Sequence, residues 1–232
     1  MKKLVLSILI IFSTFDMFAQ MEKGDIIISV SGNYIKTTTE DGGYTNQNAT
    51  QGKYLNFSPS IGTLTKDNTI AGLGLDYYWT KEKRFNSIRF NGFLQNEVMN
   101  AKSKVILPYF YIGYYYHIIS KLYLNANFKM GCGVIKSEMN TDYVGTREYD
   151  GSSDLTSFDF ETYVNGAESS SDYDYFCTNI YPEITYFVST RLGLCLGIGG
   201  IEYSMIDWKK DNSSWIVNFN PNYWKFGIKV KL

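Results

Sequence analysis

The stretch that decides the fold runs from Leu122 to Val134 and reads LYLNANFKMGCGV. Leu122, Leu124, Ala126, Phe128, Met130, Cys132 and Val134 share one parity, and Tyr123, Asn125, Asn127, Lys129, Gly131 and Gly133 share the other. Successive side chains of a strand point to opposite faces, so this period of two predicts a strand with one apolar face and one small or polar face. The pattern recurs on both sides of it. Ile26, Ile28, Val30, Gly32 and Tyr34 oppose Ser29, Ser31 and Asn33. Leu55, Phe57, Pro59 and Ile61 oppose Asn56, Ser58, Ser60 and Gly62, while Ala71, Leu73, Leu75, Tyr77 and Trp79 oppose Gly72, Gly74, Asp76 and Tyr78. Towards the end, Leu192, Leu194, Leu196 and Ile198 alternate with Gly193, Cys195, Gly197 and Gly199. Trp224, Phe226, Ile228, Val230 and Leu232 alternate with Lys225, Gly227, Lys229 and Lys231.

Two further segments, Val105 to His117 and Thr178 to Val188, are apolar or aromatic on both parities. In the first, Ile106, Phe110, Ile112, Tyr114 and Tyr116 are assigned outward; in the second, Ile180, Ile184 and Tyr186. The expectation is therefore eight strands. Their connections alternate in length. Thr65 to Asn68, Ile118 to Lys121 and Ser189 to Arg191 are tight, whereas Thr38 to Gln51, Thr80 to Ser103, Lys136 to Phe176 and Met205 to Ser214 are long and polar. Transmembrane barrels have short turns at one end and long loops at the other, which a soluble sandwich has no reason to copy.

Which parity faces out separates the two kinds of barrel. Gly72, Gly74, Gly131, Gly133, Gly197 and Gly199, with Asn, Ser and Lys, suit a narrow interior, so the large apolar set is expected to meet lipid. A closed barrel also satisfies every backbone group inside hydrocarbon. The fold class is accordingly all-β, an eight-stranded antiparallel transmembrane barrel with both termini on the periplasmic side. Pro59, Pro108, Pro182 and Pro221 fall within these strands and remove ladder donors, so a local bulge is expected at each.

The first residues read as a processing segment. Lys2 and Lys3 precede the apolar run Leu4 to Phe12, and Met17-Phe18-Ala19 places a small residue at a cleavage position. The run is shorter than the roughly 20 residues a spanning helix needs. Residues 1–19 are expected to be a removed signal peptide and 20–232 the barrel domain. Cleavage after Ala19 leaves 20 basic and 22 acidic residues, because Lys2, Lys3 and Asp16 go with the leader. That balance carries no basic footprint for nucleic acid.

With these strands in place the chain resembles the outer-membrane β-barrels of Gram-negative bacteria, akin to the small OmpA/OmpX-like barrels. The resemblance is carried by Leu107-Pro108-Tyr109-Phe110 running into Tyr114-Tyr115-Tyr116, by Lys121-Leu122-Tyr123-Leu124, and by Tyr181-Pro182-Glu183-Ile184-Thr185-Tyr186-Phe187. Arg191-Leu192-Gly193-Leu194, Gly199-Gly200-Ile201-Glu202-Tyr203 and the closing Phe226-Gly227-Ile228-Lys229-Val230-Lys231-Leu232 complete it. Members usually end in an aromatic residue, where this chain has Leu232. The resemblance implies the outer membrane as location, outer-membrane lipids and the barrel-assembly machinery as partners, and a monomer. It implies little about function, which varies widely on one scaffold.

The residues offer little chemistry. His117 is the single histidine and falls at a short turn, so a Ser-His or Cys-His nucleophile has no base at the opposite end. One His and three scattered Cys give no zinc spacing. Cys132 is assigned outward and Cys177 and Cys195 inward, and all three are expected to be free thiols. The glycine pairs lack the lysine and helix of a phosphate loop. Carboxylates are the exception: Lys136 to Phe176 holds Glu138, Asp142, Glu148, Asp150, Asp154, Asp159, Glu161, Glu168, Asp172 and Asp174 against Lys136 and Arg147. That segment reads as a solvated surface loop, or as one that takes a cation through oxygen ligands. Tyr34, Tyr77, Trp79, Trp208, Trp215 and Tyr203 read as an interfacial aromatic girdle. No catalytic, cofactor-binding or metal-ligating residue is assigned and no cofactor is expected. The expected function is a non-enzymatic outer-membrane surface protein acting in envelope integrity, adhesion or ligand binding through long external loops, with a small porin or an outer-leaflet lipid-modifying enzyme as alternatives. An interior of eight strands is filled by side chains, which disfavours the porin.

Overall fold

A computed structural model describes residues 21–42, 46–66, 68–90, 93–147, 162–207 and 212–232. The signal-peptide expectation for residues 1–19 lies outside them. Ten strands are present: β1 (Ile26–Gly42), β2 (Asn46–Lys66), β3 (Thr69–Phe90), β4 (Phe93–Ile119), β5 (Leu122–Arg147), β6 (Thr162–Phe187), β7 (Leu192–Gly197), β8 (Gly200–Ile206), β9 (Asn212–Asn218) and β10 (Lys225–Lys231). All pairings are antiparallel. Neighbours β1 to β6 pair in chain order, β6 pairs with β7, β7 with β10, and β10 with β1, so the hydrogen-bonded ladder closes into a ring. The chain ends meet there, with Leu232 N donating to Ile26 O at 2.8 Å.

Burial is inverted relative to a water-soluble protein. Leu73 is 63% exposed, Ile106 52% and Phe226 67%, whereas Asp76 and Asn125 are 0% and Lys129 is 3% exposed. Lys and Asp are almost never fully buried in a soluble domain unless paired. The outward assignments made from parity hold for Leu55, Phe57, Ile61, Ile112, Tyr114, Tyr116, Phe128, Met130, Val134, Ile180, Leu194 and Ile228, all exposed. The interior is tight. A Cβ on Gly74 would meet the ring of Tyr109, so the small residue there makes room for an inward aromatic from β4. One end is filled by Met21, Ile27, Leu64, Ile70, Tyr115, Tyr123 and Phe187. Tyr123 packs edge-on to Tyr115 at 6.2 Å and to Phe187 at 5.7 Å.

Ten strands stand where eight were expected because two segments are broken. β6 pairs Glu183 with Gly197 but Ile180 with Ile201, so Ile198, Gly199 and Gly200 face only Tyr181 and Pro182. The extra residue is a bulge, made with Gly199 at φ +97°. It sits opposite a proline whose carbonyl accepts from Ile198 N at 3.2 Å. The second break lies between β9 and β10, where Pro221–Tyr223 form a 3-10 turn capped by the Asn220 side chain. The bulges expected at Pro59 and Pro108 are absent. Phe57↔Tyr77 and Ser60↔Gly74 keep one register across Pro59, as Ile106↔Val134 and Tyr109↔Gly131 do across Pro108. A strand N–H points to one neighbour only, and each proline keeps its pairing on the other side, with Val30 and Leu75 respectively.

The long connections also need correcting. Most of Thr38 to Gln51, Thr80 to Ser103 and Lys136 to Phe176 is strand rather than loop. Pairing runs to Gly42↔Gln47, Phe90↔Phe93 and Thr146↔Thr162. The ring therefore continues at one end into a sheet whose strands reach 27 residues in β4 and 26 in β5 and β6.

Candidate functional site

Two regions hold polar chemistry. Inside the ring, two ion pairs join strands that are not neighbours. Lys129 on β5 meets Asp76 on β3, and Lys229 on β10 meets Glu183 on β6. Ser58 Oγ and Tyr78 Oη also donate to the Asp76 carboxylate, the latter at 2.8 Å. Asn125 Nδ2 donates to Glu183 Oε1 at 2.7 Å, and Lys229 Nζ to Tyr115 Oη at 2.9 Å. Buried charges persist only when paired and hydrogen-bonded, and these are. Parity had set Asp76, Lys129 and Lys229 inward without pairing them. The signal was available: an interior charge in a narrow barrel demands an opposite charge at reachable height.

Above the upper pair lies a cavity of about 200 Å³ lined by Tyr54, Tyr78, Tyr223, Lys225 and Glu202. Below it, Tyr109, Tyr111, Tyr115 and Lys229 enclose about 30 Å³, room for about one water. The apolar cluster around Tyr115 and Phe187 closes the end beneath. The interior is a shallow cup on a filled barrel.

The second region is the sheet beyond the ring. Among the described residues, β1 above Gly32 has a strand partner only in β2, and β6 from Thr162 to Tyr173 only in β5. Glu138, Asp142, Glu168, Asp172 and Asp174 all lie on the β5–β6 hairpin with exposed side chains. Lys136 pairs with Asp172 at 3.7 Å, and Asn140 Nδ2 donates to Glu168 at 3.4 Å. Glu148, Asp150, Asp154, Asp159 and Glu161 lie outside the described residues. No group of three or more His, Cys, Asp or Glu among the described residues is disposed to hold a metal ion.

His117 is exposed near the end of β4, its ring 5.1 Å from Tyr123, at the end opposite the projecting sheet. Cys132 is exposed and Cys177 and Cys195 are buried, all three free, as parity assigned them. Gly131 pairs with Cys177, and Thr185 with Cys195, so the two inward thiols sit eight residues apart along β6, about 26 Å. No disulfide spans that. Of the aromatic girdle, Tyr34 is 60% and Trp215 72% exposed, and Tyr203 lies 5.0 Å from Trp215. Trp208 falls outside the described residues.

No protein-family model matches the chain, and no curated protein matches it. Among solved structures it is similar to a loop-L8 deletion mutant of OmpT, an outer membrane protein of Vibrio cholerae. That match has 8% identity over 91% of this chain and 100% of that one, at a TM-score of 0.15. The in-vitro folded, trimeric form of the same protein matches at 9% identity over 90% and 99% of the two chains, at a TM-score of 0.12. At these scores neither carries an argument about this chain.

Proposed function

We propose that this chain is an outer-membrane β-barrel of eight strands, with β7 and β8 counted as one bulged strand and β9 and β10 as one interrupted strand. The inverted burial carries the reading: an interior of paired charges inside an apolar outer face has its natural solvent in lipid. The outward apolar run covers residues 106–116 on β4 and 176–186 on β6. Each matches the roughly 9–11 tilted residues that cross a bilayer.

Its role is non-enzymatic binding at the cell surface through the sheet that projects past the membrane. That reading is supported by β4, β5 and β6, which continue for more than ten residues beyond the apolar band and expose Lys102, Glu138, Asn140, Asp142, Glu168 and Asp172. The filled interior speaks against a porin, and the position of His117 against a hydrolase working among outer-leaflet lipids. Barrel partners are lipids and, during insertion, the assembly machinery; a monomer suffices because the ring closes within one chain.

Membrane fractionation with intact-mass measurement tests the location: the product should sediment with outer membranes and lack residues 1–19. A soluble periplasmic product defeats the proposal. Planar-bilayer recording should show no steady conductance, and a stable open level would restore the porin.

A further inference from the structure

The register of β1 to β5 stacks side chains of the outward face into rows. One row is Gly32, Phe57, Tyr77, Ile106 and Val134, each directly opposite the next. The next row up is Tyr34, Leu55, Trp79, Lys104 and Lys136, and the one above that is Lys36, Lys53, Lys81 and Lys102. All six lysines are exposed. Glu138 stands opposite Lys102 and Asp172 opposite Lys136, but Lys36, Lys53 and Lys81 have only lysines as their cross-strand partners among the described residues.

Like charges directly opposite on a sheet destabilise it. Here three such pairs follow one another across four strands, with no acid between them, so folding alone does not account for the row. Its position does. It lies one step beyond Tyr34 and Trp79, where aromatic side chains mark a membrane boundary. Lysine stems lie along apolar surface while their ammonium groups reach a polar layer, where they act as point-charge partners for phosphate.

We infer that Lys36, Lys53, Lys81 and Lys102, with Lys104 and Lys136 beneath, form a docking arc for the phosphorylated headgroups of the lipid leaflet around the barrel. The arc follows the edge of the apolar band around the circumference rather than gathering into a patch. A leaflet presents phosphates along such a line, whereas a folded acidic protein would contact it at one point. The inference rests on the membrane reading above.

The test uses the full mature chain in neutral detergent, with bound lipid counted by native mass spectrometry. Diphosphoryl lipid A, monophosphoryl lipid A and phosphatidylcholine are the three lipid probes, and inorganic phosphate is the competitor. The wild type should retain the diphosphoryl probe most strongly and phosphatidylcholine least. The variant Lys36→Gln, Lys53→Gln, Lys81→Gln, Lys102→Gln should bind it at least about tenfold more weakly, since each Lys near an anionic surface contributes on the order of a factor of five and four such factors multiply. The corresponding Lys→Arg variant should restore binding. All four sites face outward above the ring, and heat-modifiable gel mobility reports that each variant is folded. Should the Gln variant not fold, the wild type's ranking of the three lipids decides the matter alone. Equal retention of all three lipids, or undiminished binding by a folded Gln variant, overturns the arc. Competition by millimolar inorganic phosphate overturns the lipid as its occupant. A chain that stays soluble without detergent overturns the membrane reading and the arc together; one that inserts into vesicles without phosphate preference overturns the arc alone.

Discussion

The lower and upper parts of the same strands obey different rules. From Leu107 to Tyr115, β4 alternates fully buried and exposed residues, with Leu107, Tyr109, Tyr111 and Tyr115 at 0–7% exposure. Above it, from Ala101 to Val105, the inward residues are only half-buried and the outward ones are Lys102 and Lys104. Backbone pairing passes through this change without a shift, from Ile106↔Val134 to Lys102↔Glu138. Closure is what differs. Below, the strands of the ring have two neighbours each and an enclosed inner face; above, among the described residues, β1, β6 and β9 have open edges and both faces of the sheet are wet. Strand structure is thus common to both parts, while commitment to one facing belongs to the closed part.

The comparison is sharpest at its two kinds of ion pair. Lys129→Met strands Asp76 in the interior and should destabilise the barrel by about 3–5 kcal/mol in urea unfolding from lipid vesicles. Lys136→Met removes a partner from an exposed pair, both side chains being at least 60% accessible, and should change stability by less than about 1 kcal/mol. Similar losses from the two would mean that the upper sheet is as enclosed as the lower.

A facing test comes next in size. Leu194→Arg puts a charge on the outer face and should lose about 2–4 kcal/mol if that face meets the bilayer midplane. Cys195→Ser, its inward neighbour, should lose far less. Gly74→Val drives a branched side chain against the Tyr109 ring, and such overpacking typically destabilises by about 1–3 kcal/mol. The same folding assay reads all three.

Least affected should be a chain in which residues 138–170 are replaced by a short Gly/Ser linker joining the paired positions Ser137 and Ser171. Loop-closure entropy changes slowly with length, so heat-modifiable mobility and trypsin resistance should survive. Surface adhesion should be lost. A truncated chain that cannot fold would place the upper hairpin within the folding unit, and one that keeps every surface interaction would remove this hairpin from function.

What the sequence disclosed follows the same division. Leu122 to Val134 announces its strand because its outward residues are apolar and its inward residues small or polar, which writes the period of two into the chain. From Lys81 to Glu97 the strands continue with polar residues on both parities, and no contrast remains to be read. The hairpins therefore look like loops. The broken strands were legible in part: bulges were expected at Pro182 and Pro221, and the apolar parity changes from Ile198 to Ile201 across Gly199-Gly200, but only the partner register against Tyr181 and Pro182 places the extra residue. The interior pairs needed heights across the ring, set by cumulative register rather than by any local motif. The lysine rows, likewise, come from four separate strands.

The claim that the apolar face meets lipid up to a boundary between Ile106 and Lys102 is open to one direct measurement. Spin labels at Ile106→Cys and Lys102→Cys, each in a chain with Cys132, Cys177 and Cys195 changed to Ser, can be compared in vesicles for relaxation by oxygen and by a water-soluble nickel chelate. The account predicts that oxygen dominates at position 106 and the chelate at position 102, four residues along one strand. Chelate-dominated relaxation at both positions would contradict it.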